Sequence, residues 1–340
     1  MISIESTSQS NFQYESLKWQ QNPYEIMNCY FRWLKRRNPK KYWPYIFGMR
    51  YLLPFIFRHP STVSGSHKIL PLIYAACRIL DDVTDGDFSD MTWPGFDRWS
   101  YVMECRQSLD AYIRDWALDS KSPETILFKE AIELSNRTPN SDQIIAWIKI
   151  IIDSLLFDAQ RIQNFHNSWD IKPETEENLE EHFTSLDVEW TGLILRALLN
   201  IKWPEVEALM TKVGIACRRE YTLSDLPDDL WSGIVNISVE DMRKYWITIS
   251  DLQKVRDAKI VRPIDPKKPS IIFYQNHDEY PKSVILWIKD QLMSYRQGML
   301  SVSNFEMSKL SLPWRILLHT AYRHPSNKRI WKLEKIFMRK

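Results

Sequence analysis

Apolar residues recur at intervals of three and four along most of the chain, in segments of about 12 to 25 residues. This period is typical of amphipathic helices that bury one face. Strand-like alternation is nearly absent, and its best example, SIIFYQ at 270–275, is short and flanked by prolines. The sequence therefore predicts an all-α protein, with helices over 23–36, 43–57, 67–83, 95–118, 123–134, 141–162, 177–199, 203–222, 239–255, 281–299, 312–322 and 326–338.

Two polar segments interrupt this pattern without a change in composition on either side. HNSWDIKPETEEN at 166–178 and RPIDPKKPS at 262–270 carry the proline and polar residues of loops. We find no internal repeat of fixed period. We therefore expect one domain over 1–340, with these two loops and a flexible beginning at 1–20.

The first residues and the cysteines bear on location. MISIESTSQSNFQYES lacks the basic and then apolar pattern of a signal peptide. The longest apolar run, IIAWIKIIIDSLLF, is interrupted by Lys149 and Asp153 and is too short to span a membrane. The four cysteines are scattered, and three of them lie in apolar, helix-like segments. We expect reduced thiols and a cytoplasmic protein.

Composition excludes several classes of function. The chain has only 8 glycines, which argues against Rossmann and P-loop folds, because both need glycine-rich phosphate loops. A net charge of +2 gives no reason to expect nucleic acid as a partner. The seven histidines show no zinc-ligand spacing. The 15 tryptophans predict large aromatic surfaces, either in the core or around a pocket.

A first cluster of acids ends the apolar helix predicted at 67–83, in the stretch YAACRILDDVTDGD. Residues three and four apart share a helix face, so Asp81 and Asp82 each project beside Asp85. Several carboxylates side by side repel one another unless they are solvated or bind a cation. Both alternatives remain open for this cluster alone. Arg78 lies three residues before Asp81 on the same helix.

A second cluster follows the same plan in GIACRREYTLSDLPDDLWSG at 214–233. Asp225 and Asp229 are four residues apart, and Arg218 lies two turns earlier. Pro227 is expected to end the helix or to lie in its closing turn, which weakens the prediction of a shared face. Two acid-ended helices that each carry an arginine suit a diphosphate held through Mg²⁺, since carboxylate and phosphate oxygens bind this ion together.

The chemistry of such a site is ionisation of a diphosphate ester. Metal ions and arginines stabilise the charge that builds on a departing diphosphate. An allylic substrate is left as a carbocation, which needs a water-excluded pocket with aromatic faces. A helix bundle rich in tryptophan can provide one.

Both segments resemble the squalene and phytoene synthase family. YAACRILDDVTD is similar to that family's Y-A-x-C-R-x-x-D-D-x-x-D helix almost residue for residue, and 214–233 is similar in frame to its second acidic motif. The resemblance implies a class I isoprenoid synthase helix bundle, with the acid clusters facing each other across a central active-site cavity. It implies several Mg²⁺ ions, with a diphosphate held by Arg78. The implied metal ligands are Asp81, Asp82, Asp85, Asp225 and Asp229.

The second motif also departs from the family pattern. Arg218 and Tyr221 replace a glutamine and an asparagine, and Ser224 and Ser232 stand where arginines are expected. With GIVNIS at 233–238 in place of G-R-x-Y-L-P, three basic positions are neutral. Arg218 is a partial replacement, and Tyr74 and Tyr221 complete the set that we expect to contact diphosphate. Tyr74 is equally compatible with the core.

Two acids and a bulky residue near the predicted cavity leave further alternatives. Asp158 and Glu189 are mid-helix acids in apolar surroundings, compatible with internal salt bridges or with a pocket. Glu189 and Trp190, in VEWTG at 188–192, add charge and bulk where the family has a small A-G-x-x-G bend.

These departures favour one substrate over two. We expect the protein to ionise one all-trans prenyl diphosphate and to cyclise or rearrange the carbocation, as a terpene synthase does. The alternatives are head-to-head coupling of two prenyl diphosphates and a non-catalytic binding or assembly role. Nothing in the sequence supports NADPH use or fixes the oligomeric state. The basic segment NKRIWKLEKIFMRK at 327–340 is interpreted either as a helix packed on the bundle or as a peripheral contact with an anionic membrane.

Overall fold

The computed structural model describes residues 14–18, 20–37, 65–85, 88, 96–116, 121–185, 204–261, 273–300, 315 and 324–338. These residues are mainly helical, as the sequence predicts. Their α-helices are α1 (Glu15–Lys18), α2 (Pro23–Arg37), α3 (Ser66–Asp85), α4 (Arg98–Asp115), α5 (Pro123–Ser135), α6 (Ser141–Ser168), α7 (Glu176–Thr184), α8 (Pro204–Ser232), α9 (Val239–Tyr245), α10 (Ile249–Asp257), α11 (Lys282–Leu300) and α12 (His324–Phe337).

Side-chain caps fix the beginnings of several helices. The oxygens of Ser122, Thr175 and Ser238 each accept a hydrogen bond from the backbone N–H three residues further on, at the start of α5, α7 and α9. Such caps satisfy N–H groups that have no partner inside the helix. Asp97 caps α4 in the same way. The helix predicted at 95–118 therefore begins later than expected.

Two helices organise the packing. Helix α3 packs against α2, α4, α5 and α6, whereas α8 packs against α7, α10, α11 and α12. Buried apolar side chains from both sets form one continuous hydrophobic cluster, which includes Ile79 of α3, Ile151 of α6 and Leu226 of α8. The helices that end in acids therefore lie at the centre of their respective neighbours.

The end of α8 corrects the prediction made from Pro227. The helix continues through this proline to Ser232, well past the predicted end at 222. A proline inside a helix costs one backbone hydrogen bond. Here Leu226 and Leu230, on either side of it, are buried in the core, and this packing outweighs the local cost.

Other helix and loop boundaries also differ from the predicted ones. The segment predicted as one helix at 239–255 is two, because Trp246 adopts a left-handed φ of 59° and Thr248 forms a capping box that starts α10. Helix α6 extends to Ser168, so the loop predicted at 166–178 covers only 169–175. The predicted helix 43–57, most of 312–322, the part of 177–199 beyond 185 and the loop 262–270 lie outside the described residues.

Two short strands and two buried residues near the beginning of the chain complete the fold. Part of the segment SIIFYQ is a strand, β2 (Phe273–Gln275), which pairs antiparallel with β1 (Lys259–Val261). Each strand has three residues, so the fold remains helical. Within the expected flexible segment 1–20, Tyr14 and Leu17 are fully buried. No helix in the described ranges combines the length and hydropathy that a membrane span requires.

Candidate active site

The acid cluster at the end of α3 is neutralised from within its own helix. Arg78 forms ion pairs with Asp81 and with Asp82, and its Nη2 lies 2.8 Å from Oδ1 of Asp82. These partners are three and four residues away, the spacing that places side chains on one helix face. The charges of Asp81 and Asp82 outweigh the effect of burial and raise the pKa of Arg78 above its usual value.

Asp82 differs from its neighbours because it is fully buried. Arg78 binds one of its oxygens, and the hydroxyl of Tyr30 on α2 donates to the other. Burial, and then the charge of Asp82, raise the pKa of Tyr30 well above its usual value, so the phenol keeps the proton that it donates. Both carboxylate oxygens of Asp82 are therefore engaged by protein groups.

Asp81 and Asp85 remain closer to solvent. Asp81 is partly exposed and Asp85 is exposed. Asp85 interacts electrostatically with Arg98 at the start of α4, where burial lowers the pKa of Arg98 and the carboxylate acts in the opposite direction. Nη1 of Arg98 lies 2.9 Å from Nε2 of His166, near the end of α6. The end of α3, the start of α4 and the end of α6 therefore meet.

The predicted pair on α8 is brought onto one helix face, because the helix continues through Pro227. Asp225 is exposed and Asp229 is partly buried. Burial, followed by the carboxylates of Asp225 and Asp158, raises the pKa of Asp229 well above its usual value. Like charges close together disfavour ionisation. The second cluster is thus a set of mutually repelling carboxylates.

A hydrogen-bonded chain from other elements holds Asp229. Asn236, in the segment after α8, donates from Nδ2 to Oδ2 of Asp229 over 2.8 Å. Arg161 of α6 donates to Oδ1 of Asn236 and to Oδ1 of Asp158, both over 3.1 Å. His182 of α7 completes the chain, with Nε2 3.2 Å from Oδ2 of Asp158.

Gly233 makes this chain possible. It ends α8 with a φ of 86°, a conformation that glycine adopts without the strain a side chain would cause. A Cβ at this position would lie 2.2 Å from the Cβ of Phe165. The close approach lets the segment after α8 reach α6, where Arg161 also donates to the carbonyl of Val235.

Asp158 is a salt-bridged acid, the first of the two alternatives left open by the sequence. Burial alone would raise the pKa of Asp158, but His182, Arg161 and Arg218 outweigh it and lower the pKa. Because Asp158 also acts electrostatically on Asp229, its role is not confined to an isolated internal pair. Glu189 and Trp190 lie outside the described residues.

Arg218 and the two predicted tyrosines have aromatic surroundings. The guanidinium carbon of Arg218 lies 5.2 Å from the ring centroid of Phe183 and 6.0 Å from that of Tyr221. Arg218 also lines a cavity of about 280 Å³ between α7, α8, α9 and α11. Tyr74 is half-buried, with its ring centroid 6.2 Å from that of Phe31. Tyr74 lies on α3, the helix of Arg78, and Tyr221 lies on α8, the helix of Arg218.

Four residues of the site were missed in the sequence: Tyr30, Arg161, His182 and Asn236. Only Arg161 had a usable signal, since it lies three residues after Asp158, at ion-pair spacing on a helix. The other three reach their partners from different elements. No spacing along the chain predicts such contacts.

The donor set suits Mg²⁺ in one respect. Within the described ranges, no three His, Cys, Asp or Glu side chains form a group that could hold a metal ion by themselves. Mg²⁺ usually binds one or two carboxylates and completes its shell with water and substrate phosphates. A repelling pair of hard oxygen donors such as Asp225 and Asp229 fits that requirement.

A group that could receive an anion lies on α3. Nε of Arg78 is buried and has no hydrogen-bond partner, although the other two nitrogens of the guanidinium contact Asp81 and Asp82. An unsatisfied buried donor is costly unless a ligand completes it. Arg78 therefore both neutralises its neighbours and retains a donor.

Comparisons with known proteins identify the fold of this protein. No protein-family model matches the sequence, and no curated protein matches it. The crystal structure of squalene synthase HpnC from Alicyclobacillus acidocaldarius is similar, with 16% identity and a TM-score of 0.55 over 95% of this chain and 98% of that one. A dehydrosqualene synthase in complex with a ligand matches at 12% identity and a TM-score of 0.49, over 94% of this chain and 100% of that one. The likeness to HpnC extends over nearly all of both chains, and it shows that this protein has the all-helical isoprenoid synthase fold of squalene synthase.

Proposed function

We propose that this protein is a Mg²⁺-dependent isoprenoid synthase that ionises one all-trans prenyl diphosphate and cyclises or rearranges the resulting carbocation. The observation that carries the proposal is the pair of acid-ended helices, α3 and α8, each with an arginine on the same helix. Helix α6 links them, because His166 contacts Arg98 beside Asp85 while Phe165 contacts Gly233 at the end of α8.

The metal ligands that we propose are the acids of the two clusters whose side chains are at least partly exposed. On α3 these are Asp81 and Asp85, and on α8 they are Asp225 and Asp229. Bound Mg²⁺ would neutralise the charge that develops on the departing diphosphate. We assign Asp82 to holding Arg78 in place, because both of its oxygens already have partners.

In this proposal two arginines bind the diphosphate, and two other residues position Asp229. Arg78 would donate from its unpaired Nε to a diphosphate oxygen, and Arg218 would add positive charge from α8. Asn236 keeps Asp229 in one orientation, and Arg161 keeps Asn236 in place. Preorganised groups of this kind stabilise developing charge without rearranging during the reaction.

Two observations on α8 favour one substrate over head-to-head coupling. Coupling needs positive charge for two diphosphates, but Ser224 stands where an arginine is expected. Its hydroxyl donates over 2.6 Å to Glu220, which is fully buried. Glu220 is in turn bound by Arg329 of α12, so this side of α8 is committed to packing. The positive charge that an arginine at position 224 would supply for a second diphosphate is therefore absent from α8, and this favours the reaction of a single substrate.

The test is a set of single incubations with Mg²⁺ and prenyl diphosphates of ten, fifteen and twenty carbons, followed by mass analysis. A cyclic or rearranged product with the carbon count of the substrate is expected. A hydrocarbon of doubled carbon count would establish coupling instead. If no substrate is consumed, a non-catalytic role replaces both.

A binding experiment tests the site without turnover. We expect Mg²⁺ and pyrophosphate together to raise the melting temperature, since a ligand that binds only the folded state stabilises it. The shift should disappear in Asp225→Ala and persist in Asp142→Ala, an exposed acid in the first turn of α6. An equal rise of the melting temperature in Asp225→Ala and in the unaltered protein would show that Asp225 is not part of the binding site.

A further inference from the structure

The outer face of α12 carries lysines and large apolar side chains. Lys328, Trp331, Lys332, Lys335 and Met338 are all exposed, at spacings of three and four that place them along one stripe. Trp331 is 51% exposed and Met338 is 47% exposed. The ammonium of Lys335 lies 3.4 Å from the ring centroid of Trp331. The stripe therefore joins three cations to two large apolar groups and contains no acid.

The acid of α12 is turned toward the bundle. Glu334 accepts two hydrogen bonds of 2.6 Å from Arg296 of α11. Arg329 reaches the buried Glu220 of α8, and Ile330 and Phe337 are buried. The packing predicted for this segment is thus present, and it leaves an outward face on which only cations carry charge.

Helix α11, against which α12 packs, adds exposed apolar surface. Leu286, Met293 and Leu300 are exposed at intervals of seven residues, along one side of the helix. Large apolar groups that face water at regular spacing on two adjoining helices suggest a partner that covers them. Because lysines lie beside these apolar groups, the partner should carry both negative charge and apolar groups.

We propose that the outer face of α12, together with the apolar side of α11, rests on an anionic membrane surface. Lysines near such a surface are attracted to its headgroups, and tryptophan is enriched at the boundary between headgroups and acyl chains. A helix with cations, tryptophan and methionine on one face has the pattern of an interfacial helix. Ion pairs on its other face hold α12 to the bundle, so contact occurs without unfolding it.

This surface is distinct from the acid clusters, and the proposal does not depend on the reaction. An anionic surface is preferred to nucleic acid as the occupant because the exposed leucines and methionines find no partner on a phosphate backbone. Acyl chains provide one. Sedimentation of the 340-residue protein with vesicles measures binding directly.

The experiment compares vesicles of phosphatidylcholine with vesicles in which about one third of the lipid is phosphatidylglycerol, at low ionic strength. We expect binding to the anionic vesicles only, weakened by added salt. The triple variant Lys328→Glu/Lys332→Glu/Lys335→Glu should bind at least about 100-fold more weakly, since each lysine contributes about fivefold. Trp331→Ala should bind about fivefold more weakly.

Matched controls separate the face of α12 from general charge and from any exposed tryptophan. Lys68→Glu/Lys121→Glu/Lys172→Glu changes the net charge equally through exposed lysines elsewhere, and it should change binding by less than about threefold. Trp116→Ala removes an exposed tryptophan at the end of α4 and should leave binding unchanged. Circular dichroism verifies that each variant folds.

Three outcomes would overturn the proposal. The first is absence of binding to anionic vesicles by the unaltered protein. The second is equal weakening in the two triple variants, because binding would then follow net charge alone. The third is tight binding of a single-stranded RNA probe, lost in the α12 variant, without vesicle binding.

Discussion

The two acid-ended helices solve the same electrostatic problem in different ways. On α3, Arg78 lies one turn before Asp81 and Asp82 and pairs with both. On α8, Asp225 and Asp229 repel each other, and Asp229 depends on Asn236 for a hydrogen bond. In the first cluster a cation of the same helix pairs with the acids, whereas in the second a neutral amide from beyond the helix donates to Asp229. A cation bound at Asp229 would relieve the repulsion from Asp225 and Asp158.

The largest effect should come from removing a carboxylate that faces the proposed cation. Asp225→Asn should lower the rate of product formation about 100- to 1,000-fold, because stabilisation of the departing charge is lost. The protein should fold normally, since Asp225 is exposed. Steady-state kinetics with each prenyl diphosphate measures the loss.

Asp228→Asn is the matched control for that variant. Asp228 is exposed, and its charge acts on Tyr280, whose ring centroid lies 5.9 Å from that of Phe337 of α12. A change of less than about tenfold is expected from a surface position of this kind. Equal losses in the two variants would mean that α8 needs only total negative charge.

Removing the guanidinium of Arg78 should lower stability more than any change to the network around Asp229. Arg78→Met leaves the buried Asp82 without its ion pair to Arg78, and a broken buried ion pair costs about 3–5 kcal/mol. Urea unfolding gives the free energy. The double variant Arg78→Met/Asp82→Asn should recover part of the loss; no recovery would show that Arg78 acts through packing alone.

At α8 the corresponding change should affect binding as well as folding. Asn236→Leu removes the hydrogen bond to Asp229 and leaves Arg161 with one acceptor fewer, for about 1–2 kcal/mol of unfolding free energy. The thermal shift with Mg²⁺ and pyrophosphate should shrink as well. An unchanged shift would separate this network from ligand binding.

Tyr30→Phe tests the hydrogen bond from Tyr30 to Asp82. Removing one hydrogen bond to a buried carboxylate should lower the free energy of unfolding by about 1–2 kcal/mol. The effect should be much smaller in an Asp82→Asn background, where the acceptor is no longer charged. Similar losses in both backgrounds would indicate a packing role for the ring.

The smallest effect concerns pH. The pKa of Asp158 is lowered in the folded protein, so its ion pairs stabilise the fold above the ordinary carboxyl pKa. That stability is lost as the pH falls through the lowered pKa. Melting temperatures measured from neutral to acidic pH should therefore fall less steeply in Asp158→Asn. Parallel curves would show that Asp158 contributes nothing to acid sensitivity.

Sequence periodicity predicted most of the described helices, and local spacing predicted that Arg78 lies beside the acids of α3, although the role expected for it was diphosphate binding. The helix boundaries predicted from the sequence are wrong where tertiary contacts outweigh local conformational preference. Pro227 predicted a helix end, but the burial of Leu226 and Leu230 carries α8 onward. The left-handed turn at Trp246 gave no signal, because a tryptophan is not expected to adopt that conformation.

The sequence alone determined the helical class, the two clusters of aspartates and the presence of an arginine near each, because a helix fixes the relation between residues three and four apart. Only the tertiary structure decided which carboxylates are already engaged. Tyr30 reaches Asp82 from 52 residues away, and Arg161 reaches Asn236 from 75 residues away. Contacts across such separations depend on the packing of α2, α6 and α7 against the acid-ended helices, and no linear spacing encodes that packing.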